Sequence, residues 1–381
     1  MLGNHKLVID THCEVYQLLK YWADGEFWNL EHHDIIPGAC YMIGRQQFEN
    51  NIELVRNIAQ SGIARVVLSN PTEGSETIVW QCKRLQIEDL VNSGKIIILA
   101  GGDAGPEYHL LRYDSFMVKI LDYVTNCEAM KRTPEIYSKT SKPYKFLFLN
   151  GRKRPHRKFL LEKFKENGLL DQALWTNLDT GSIGSRSLTL RNKDGVNLLT
   201  QSLPLHYLPP EYEVKEYQHR LTLVPDTTDN FIKSHLFNHT WGEIYLKPEP
   251  YIDTYFSLVT ETVFDYPYSF RTEKIWKPIT MGHPWIAVTS KGYYRDMHQL
   301  GFKTFGHLID ESFDLINNSQ ERIERIEQVV VDLCGQDLVQ FITAAQDVCE
   351  YNQQHLVELR QQETQEFPQR LSQFLSKYFN E

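Results

Sequence analysis

The stretch ARVVLSNPTEGSETIVWQCKRLQIEDLVNSGKIIILAGGD, residues 64–103, decides the fold. Its two ends, ARVVLS (64–69) and KIIILA (95–100), are short runs dominated by Val, Ile and Leu. Each is stopped by turn-forming residues, Asn70-Pro71-Thr72-Glu73-Gly74 after the first and Gly101-Gly102-Asp103 after the second. Runs of this kind, without polar alternation, read as strands covered on both faces. Between them, residues 77–91 repeat apolar side chains at helical spacing and end near Ser93-Gly94. Strand, helix and strand in this order form a βαβ unit, whose strands pair in parallel.

The alternation extends both ways. Upstream, 6–9 is a short apolar run ending in Asp10-Thr11-His12 and 15–22 reads as helical. A loop of aromatics, acids and histidines covers 26–44, and 48–60 is a helix. Downstream, 115–129 is another helix, and the polar stretch 131–145, with two prolines, reads as a linker. The pattern then restarts with a strand at 144–149 (YKFLFL) and a helix at 156–167 closed by Gly168. Further on come a strand at 255–260 (YFSLVT), a helix at 272–281, a strand at 284–289 (PWIAVT) and a helix at 293–300 capped by Gly301. Residues 180–216 read as an irregular insertion with a hairpin around 192–195, and 229–237 as a short helix. Residues 316–379 form a helical tail interrupted at Pro368. The expected fold is α/β, with two facing, doubly wound, Rossmann-like domains at 1–130 and 146–315. The linker 131–145 joins them, and C-terminal helices, 316–381, pack back across them. In such sheets ligands sit beyond the carboxyl ends of the strands, so the residues just after each strand are the candidates for chemistry.

Composition narrows the class. The 381 residues supply apolar material for two cores, and 41% hydrophobic with 23% charged residues excludes a disordered chain. Forty Lys and Arg against 49 Asp and Glu leave a net charge of −9, which implies no general nucleic-acid-binding surface. The six cysteines are scattered, the closest pair being Cys334 and Cys349, and no C-x-x-C occurs. That argues against a zinc ribbon and a disulfide framework and fits a reducing compartment. Asp10, His12 and Glu14 break the N-terminal apolar run, and no stretch approaches the roughly 18–20 apolar residues of a membrane span. The expected location is cytoplasmic.

Two constellations carry chemistry. The first is Asn150-Gly151-Arg152-Lys153-Arg154-Pro155-His156-Arg157, which follows a strand and opens a helix. Cations in the first helical turn oppose the helix dipole, and a helix N-terminus with Arg beside it is a ready phosphate site. The second is Thr260-Glu261-Thr262, then Phe270-Arg271-Thr272-Glu273-Lys274, then Gly282-His283-Pro284-Trp285. Its carboxylates can accept hydrogen bonds from sugar hydroxyls, and its cations can neutralise a diphosphate.

The run FSLVTETVFDYPYSFRTEKIWKPITMGHPWIAV, residues 256–288, resembles the donor-binding segment of the α1,3-fucosyltransferases. That family shows a strand ending in F-E-N, then Y-V-T-E-K, a helix, and a G-x-x-P-V turn into a strand. A looser similarity at 144–176 extends to the opening of the second domain in many GT-B glycosyltransferases. The resemblance implies a GT-B-like arrangement, a nucleotide-sugar donor (GDP- or UDP-linked) held by the C-terminal domain, inversion at the sugar, and neither cofactor nor obligatory metal. It implies further that Glu261, Glu273 and Lys274 contact the donor, with Arg271 and Thr272 beside them. One of Arg152, Arg154 and Arg157 would be the phosphate-binding arginine. The chain departs from the family at Phe270, where the family has Tyr, and at Thr260-Glu261-Thr262, where it has F-E-N. The sugar and the nucleotide therefore stay open.

An inverting transferase needs a base for the acceptor hydroxyl, here expected to belong to a glycan. Glu73 is the first candidate, Asp103 the second, and Asp10 or His12 the third. A rival reading is a metal-dependent hydrolase using Asp10 and His12, with His32-His33-Asp34 and His235-x-x-x-His239 as further ligands. The pattern lacks the H-x-H of barrel hydrolases and the H-E-x-x-H of zinc proteases. A third reading is a catalytically inactive nucleotide- or glycan-binding protein.

Overall fold

A computed structural model describes residues 6–9, 13, 34–105, 108–122, 124–150, 154–177, 190–191, 212–217, 220–225 and 246–379. The chain divides into two compact units. The first comprises Met1–Val118, Tyr268–Arg271 and Glu358–Glu381, and the second Lys119–Pro267 and Thr272–Val357.

The first unit contains strands β1 (Lys6–Ile9), β2 (Ala39–Gly44), β3 (Arg65–Asn70), β4 (Ile96–Ala100) and β5 (Leu110–Arg112), all parallel and in the spatial order of the chain. Helices α1 (Arg45–Asn50), α2 (Ile52–Ser61), α3 (Ser75–Arg84) and α4 (Glu88–Asn92) connect them. Tyr41, Ile43, Val66, Leu68, Ile96 and Ile98 point alternately to one face and form one core with Val55, Ile58, Ile78 and Val91 of the helices. Met42, Val67, Ile97 and Leu99, on the opposite face, are buried as well, so the strands carry no polar alternation. Among the described strands of this sheet the order does not reverse, so they show no topological switch point; they step in one direction across the sheet, where a doubly wound order was expected.

Helix α5 (Ser115–Asp122) follows β5, and α6 (Val124–Met130) and α7 (Thr133–Ser138) lie in the second unit. The stretch read as a linker is structured: Ile136 is buried, and the buried Lys142 ammonium donates to the Ile136 and Ile252 carbonyls at 2.8 and 2.6 Å. Two helix C-termini thereby share one cation, which the helix dipole favours.

The second unit is built on β6 (Tyr144–Asn150), β7 (Ala173–Asn177) and the later strands β11 (Thr254–Thr260) and β12 (Trp285–Val288). Between β7 and β11, strands β8 (Leu190–Arg191), β9 (Tyr212–Tyr217) and β10 (Arg220–Pro225) form a separate antiparallel sheet, and α9 (Glu249–Ile252) precedes β11. The expected hairpin at 192–195 and helix at 229–237 lie outside the described residues. The main sheet is parallel in the order β12-β11-β6-β7. The chain steps from β6 to β7 in one direction, then crosses to β11 on the other side of β6. The order therefore reverses between β6 and β11, and their carboxyl ends mark a switch point.

Helix α8 (Pro155–Glu166) follows β6, α10 (Glu273–Thr280) follows β11, and α11 (Tyr293–Gln299) follows β12. Phe146 and Phe148 of β6, two residues apart and so on one face, meet Phe164 of α8 edge-on at 5.6 Å each. Phe256 stacks on Phe146 at 5.5 Å. Helices α12 (Ser319–Cys334) and α13 (Leu338–Phe379) complete the chain. The interruption expected at Pro368 is absent, since α13 runs through it. Phe367 and Leu371, buried on either side of the proline, supply packing that offsets its cost of about 3 kcal/mol. Among the described residues no helix is long and apolar enough to cross a membrane.

Candidate functional site

Asn150 and Thr260 close the two strands that flank the switch point. Thr260 Oγ1 donates to Asn150 Oδ1 at 2.7 Å, and Thr176 Oγ1, from β7, donates to the Asn150 carbonyl at 3.0 Å. Asn150 is 2% exposed, and its amide nitrogen has no partner among the described residues. A buried donor left unsatisfied costs about 1–3 kcal/mol, so its position beside an open helix end calls for an explanation.

That helix end is α8. Pro155 occupies its first position, where its missing N–H is no loss, and Arg154 before it is extended, with no side chain among the described residues capping the helix. The first-turn amides therefore keep their partial positive charge. His156 and Arg157 turn back toward β11. His156 Nε2 donates to the Glu261 carbonyl at 3.0 Å, and Arg157 Nη2 donates to the carbonyls of Thr260 and Glu261 at 2.8 and 3.1 Å. Burial, reinforced by the Arg157 charge, pushes the His156 pKa down to about 4, so its ring is neutral and carries the Nε2 proton. Of the three arginines proposed for phosphate, Arg157 is thus buried as a staple between α8 and β11. Arg154 is half-buried with its Nε unpartnered among the described residues, and Arg152 lies outside them.

Glu261 follows β11 and is fully buried. Its Oε1 accepts from the Thr272 amide at 3.0 Å and the Tyr293 hydroxyl at 3.3 Å. Its Oε2 accepts from the Thr272 hydroxyl at 2.6 Å and the Thr262 amide at 3.3 Å. Burial raises its pKa, and the Lys274 charge and the Thr272 donors oppose that rise. The contact between this carboxylate and a sugar, expected from the resemblance, does not fit four internal donors. Glu261 instead orients Thr272, whose oxygen caps α10 by accepting from the Lys274 amide at 3.3 Å. Thr272 Oγ1 also accepts from Lys274 Nζ at 3.1 Å, and Glu273 Oε1 meets the same ammonium at 2.5 Å. Burial alone would raise the Glu273 pKa, but Lys274 and Lys277 hold it below the usual carboxylate range. The Lys274 side chain retains 22% exposure, so the network positions a cation that a ligand can reach.

The other end of α10 is equally fixed. The carbonyls of Thr280, Met281 and Gly282 accept from Gln353 Nε2 at 2.6 Å, Thr133 Oγ1 at 3.1 Å and the Tyr137 hydroxyl at 2.5 Å. His283, at the turn into β12, bonds the Thr254 carbonyl and the Ser257 hydroxyl, both at 2.9 Å.

The remaining candidates belong to the first unit. Glu73 follows β3, accepts from Arg45 Nη1 and from Thr77 Oγ1 at 3.3 Å each, and is about one-third exposed. Asp103 pairs with Arg112 at 3.2 Å and lies 3.9 Å from Arg271. Arg271, grouped by sequence with Lys274, is 1% exposed, and its Nε contacts Asp114 at 3.4 Å. Residues 268–271 belong to the first unit because Phe270 forms an antiparallel bridge with Gly102 and its ring lies against Gly74 and Gly101. Asp10, His12, His32, His33, His235 and His239 lie outside the described residues, and among the described residues no cluster of three His, Cys, Asp or Glu side chains could hold a metal ion.

Sequence reasoning placed Asn150, His156 and Thr260 within its two constellations but gave none of them a role of its own. A polar side chain at the last position of an otherwise apolar strand was the available signal. No family model, no curated protein and no solved structure matches the chain.

Proposed function

We propose that this protein is a glycosyltransferase that moves a sugar from a GDP- or UDP-linked donor to an acceptor hydroxyl by direct displacement at the anomeric carbon, without a metal. The observation that carries the reading is the switch point of the second sheet. There, a helix N-terminus that no described side chain caps, the amide of buried Asn150 without a partner among the described residues, the half-buried Arg154 and the preset Lys274 lie at the carboxyl edge of one sheet. Such donors suit a diphosphate, whose negative charge grows as the glycosidic bond breaks. In this reading Arg154 and Lys274 stabilise the leaving group, Glu273 and Glu261 hold Lys274 and Thr272 in place, and Glu73 of the first unit takes the acceptor proton.

The test is a thermal-shift screen against UDP, GDP, CMP, ADP and TDP, with and without EDTA. One diphosphate should raise the melting temperature equally in both conditions. Arg154→Ala or Lys274→Ala should weaken that binding about tenfold or more, as loss of a charge-assisted hydrogen bond does. Silence with every nucleotide, or an unchanged affinity in both variants, overturns the donor site. Glu73→Gln should cut turnover by about 100-fold or more at normal donor affinity. Full activity would exclude Glu73 as the base.

A further inference from the structure

Helix α3 of the first unit presents a strip that the donor site does not use. From Glu73, just before the helix, side chains at helical spacing lie on one face: Glu73, Thr77, Trp80 and Arg84. Trp80 is 56% exposed, although a tryptophan buries more apolar surface than any other side chain when it is covered. The Arg84 guanidinium lies 5.1 Å from its ring centroid, which holds the indole open and flat against a cation.

The polar groups beside the ring form a ladder of alternating charge. Arg84 Nη2 pairs with Glu49 Oε2 at 2.8 Å, Glu49 Oε1 lies 3.7 Å from Arg45 Nε, and Arg45 Nη1 pairs with Glu73 at 3.3 Å. All four side chains retain 31–44% exposure, so each can reach a ligand. Two cations and two carboxylates sum to zero, so the ladder attracts neither a polyanion nor a polycation. Forked guanidinium donors next to carboxylate acceptors match vicinal hydroxyls, and an indole face matches the C–H face of a pyranose. Two buried groups lie under the strip with hydrogen-bonding capacity left over. Among the described residues, Gln81, fully buried, donates to Glu49 at 2.9 Å while its carbonyl oxygen has no partner, and Asn70, whose carbonyl closes the turn bearing Glu73, has an unpartnered amide nitrogen.

We propose that this strip of α3 is a carbohydrate-binding surface, with Trp80 as its stacking platform, and that it holds an uncharged oligosaccharide so that one hydroxyl meets Glu73. The inference rests on the transferase reading in naming that oligosaccharide as the acceptor.

The test uses the full chain, fluorescently labelled, on an array of neutral, sulfated and sialylated oligosaccharides, with the nucleotide thermal-shift screen run in parallel. The wild type should bind neutral glycans. Trp80→Ala should weaken that binding about tenfold or more, Trp80→Tyr should restore much of it, and both should keep the wild-type melting temperature and nucleotide response. Binding confined to acidic glycans and unchanged in Trp80→Ala overturns the proposal, as does equal binding by wild type and Trp80→Ala. A silent array with an intact nucleotide shift overturns the proposal alone. A silent nucleotide screen with Trp80-dependent glycan binding overturns the donor reading and supports the carbohydrate surface.

Discussion

Burial constrains the chemistry of His283 and Glu261. His283 donates to one group, accepts from another, and is pushed by burial to a pKa of about 3. A histidine whose folded pKa lies below its unfolded value, about 6.5, leaves the unfolded chain binding more protons between the two values. Its contribution is therefore intact above pH 6.5 and is lost as the pH falls toward 3, amounting to about 2 kcal/mol by pH 5. Asp114 and Glu311, whose carboxyls burial pushes up to about 6, act in the opposite sense over that range. The effect is thus read as a difference. Between about pH 7.5 and about pH 5, urea unfolding should show His283→Gln losing about 2 kcal/mol less than the wild type. Equal losses would assign the acid response to other groups. Glu261→Gln replaces an acceptor-only carboxylate facing four donors with a group that must point an N–H at one of them. Urea unfolding should register a loss of about 2 kcal/mol. A change within a few tenths would mean that the four bonds are dispensable.

At the scale of elements, much was legible. The Val- and Ile-rich runs of β3 and β4 signal burial on two faces, and Thr272 before Glu273-Lys274 marks the helix start that the structure has. Gly301, with φ of +91°, sits where the end of α11 requires a left-handed residue. Periodicity reports what covers a segment but not which strand lies beside it, so the reversal between β6 and β11 and the unreversed order of the described strands in the first sheet were hidden. Nor does a run of basic residues say which side chain turns inward: Arg157 is buried only because the β11 carbonyls stand within its reach. Gly101 illustrates the same limit. It read as a turn residue, but the close approach of Phe270 from a distant stretch also restricts it. A Cβ there would collide with the Pro71 carbonyl and stand 3.0 Å from the Phe270 ring. Gly101→Ala should cost about 1–3 kcal/mol in denaturant unfolding, and a neutral result would mean that both the Pro71 backbone and the ring are free to withdraw.

At the scale of the molecule, the boundaries in space differ from those along the chain. The first unit draws on three separated stretches, the last of which supplies Phe367, Leu371 and Leu375 to its interior, with Phe367 packed 4.5 Å from Tyr113. A chain stopped after residue 357 should therefore expose the first unit to limited proteolysis while the fragment carrying β6 and β12 persists. Equal resistance in both halves would show the missing helix to be ornamental. The split also has a consequence for synthesis. The stretches 268–271 and 358–379 leave the ribosome only after strands of the second unit, so the unit that begins the chain is the later of the two to be completed. Its early strands must wait without those two stretches while the rest is translated. Chaperone demand and the sensitivity of nascent chains to degradation are therefore set by the first unit, even though its sequence emerges first.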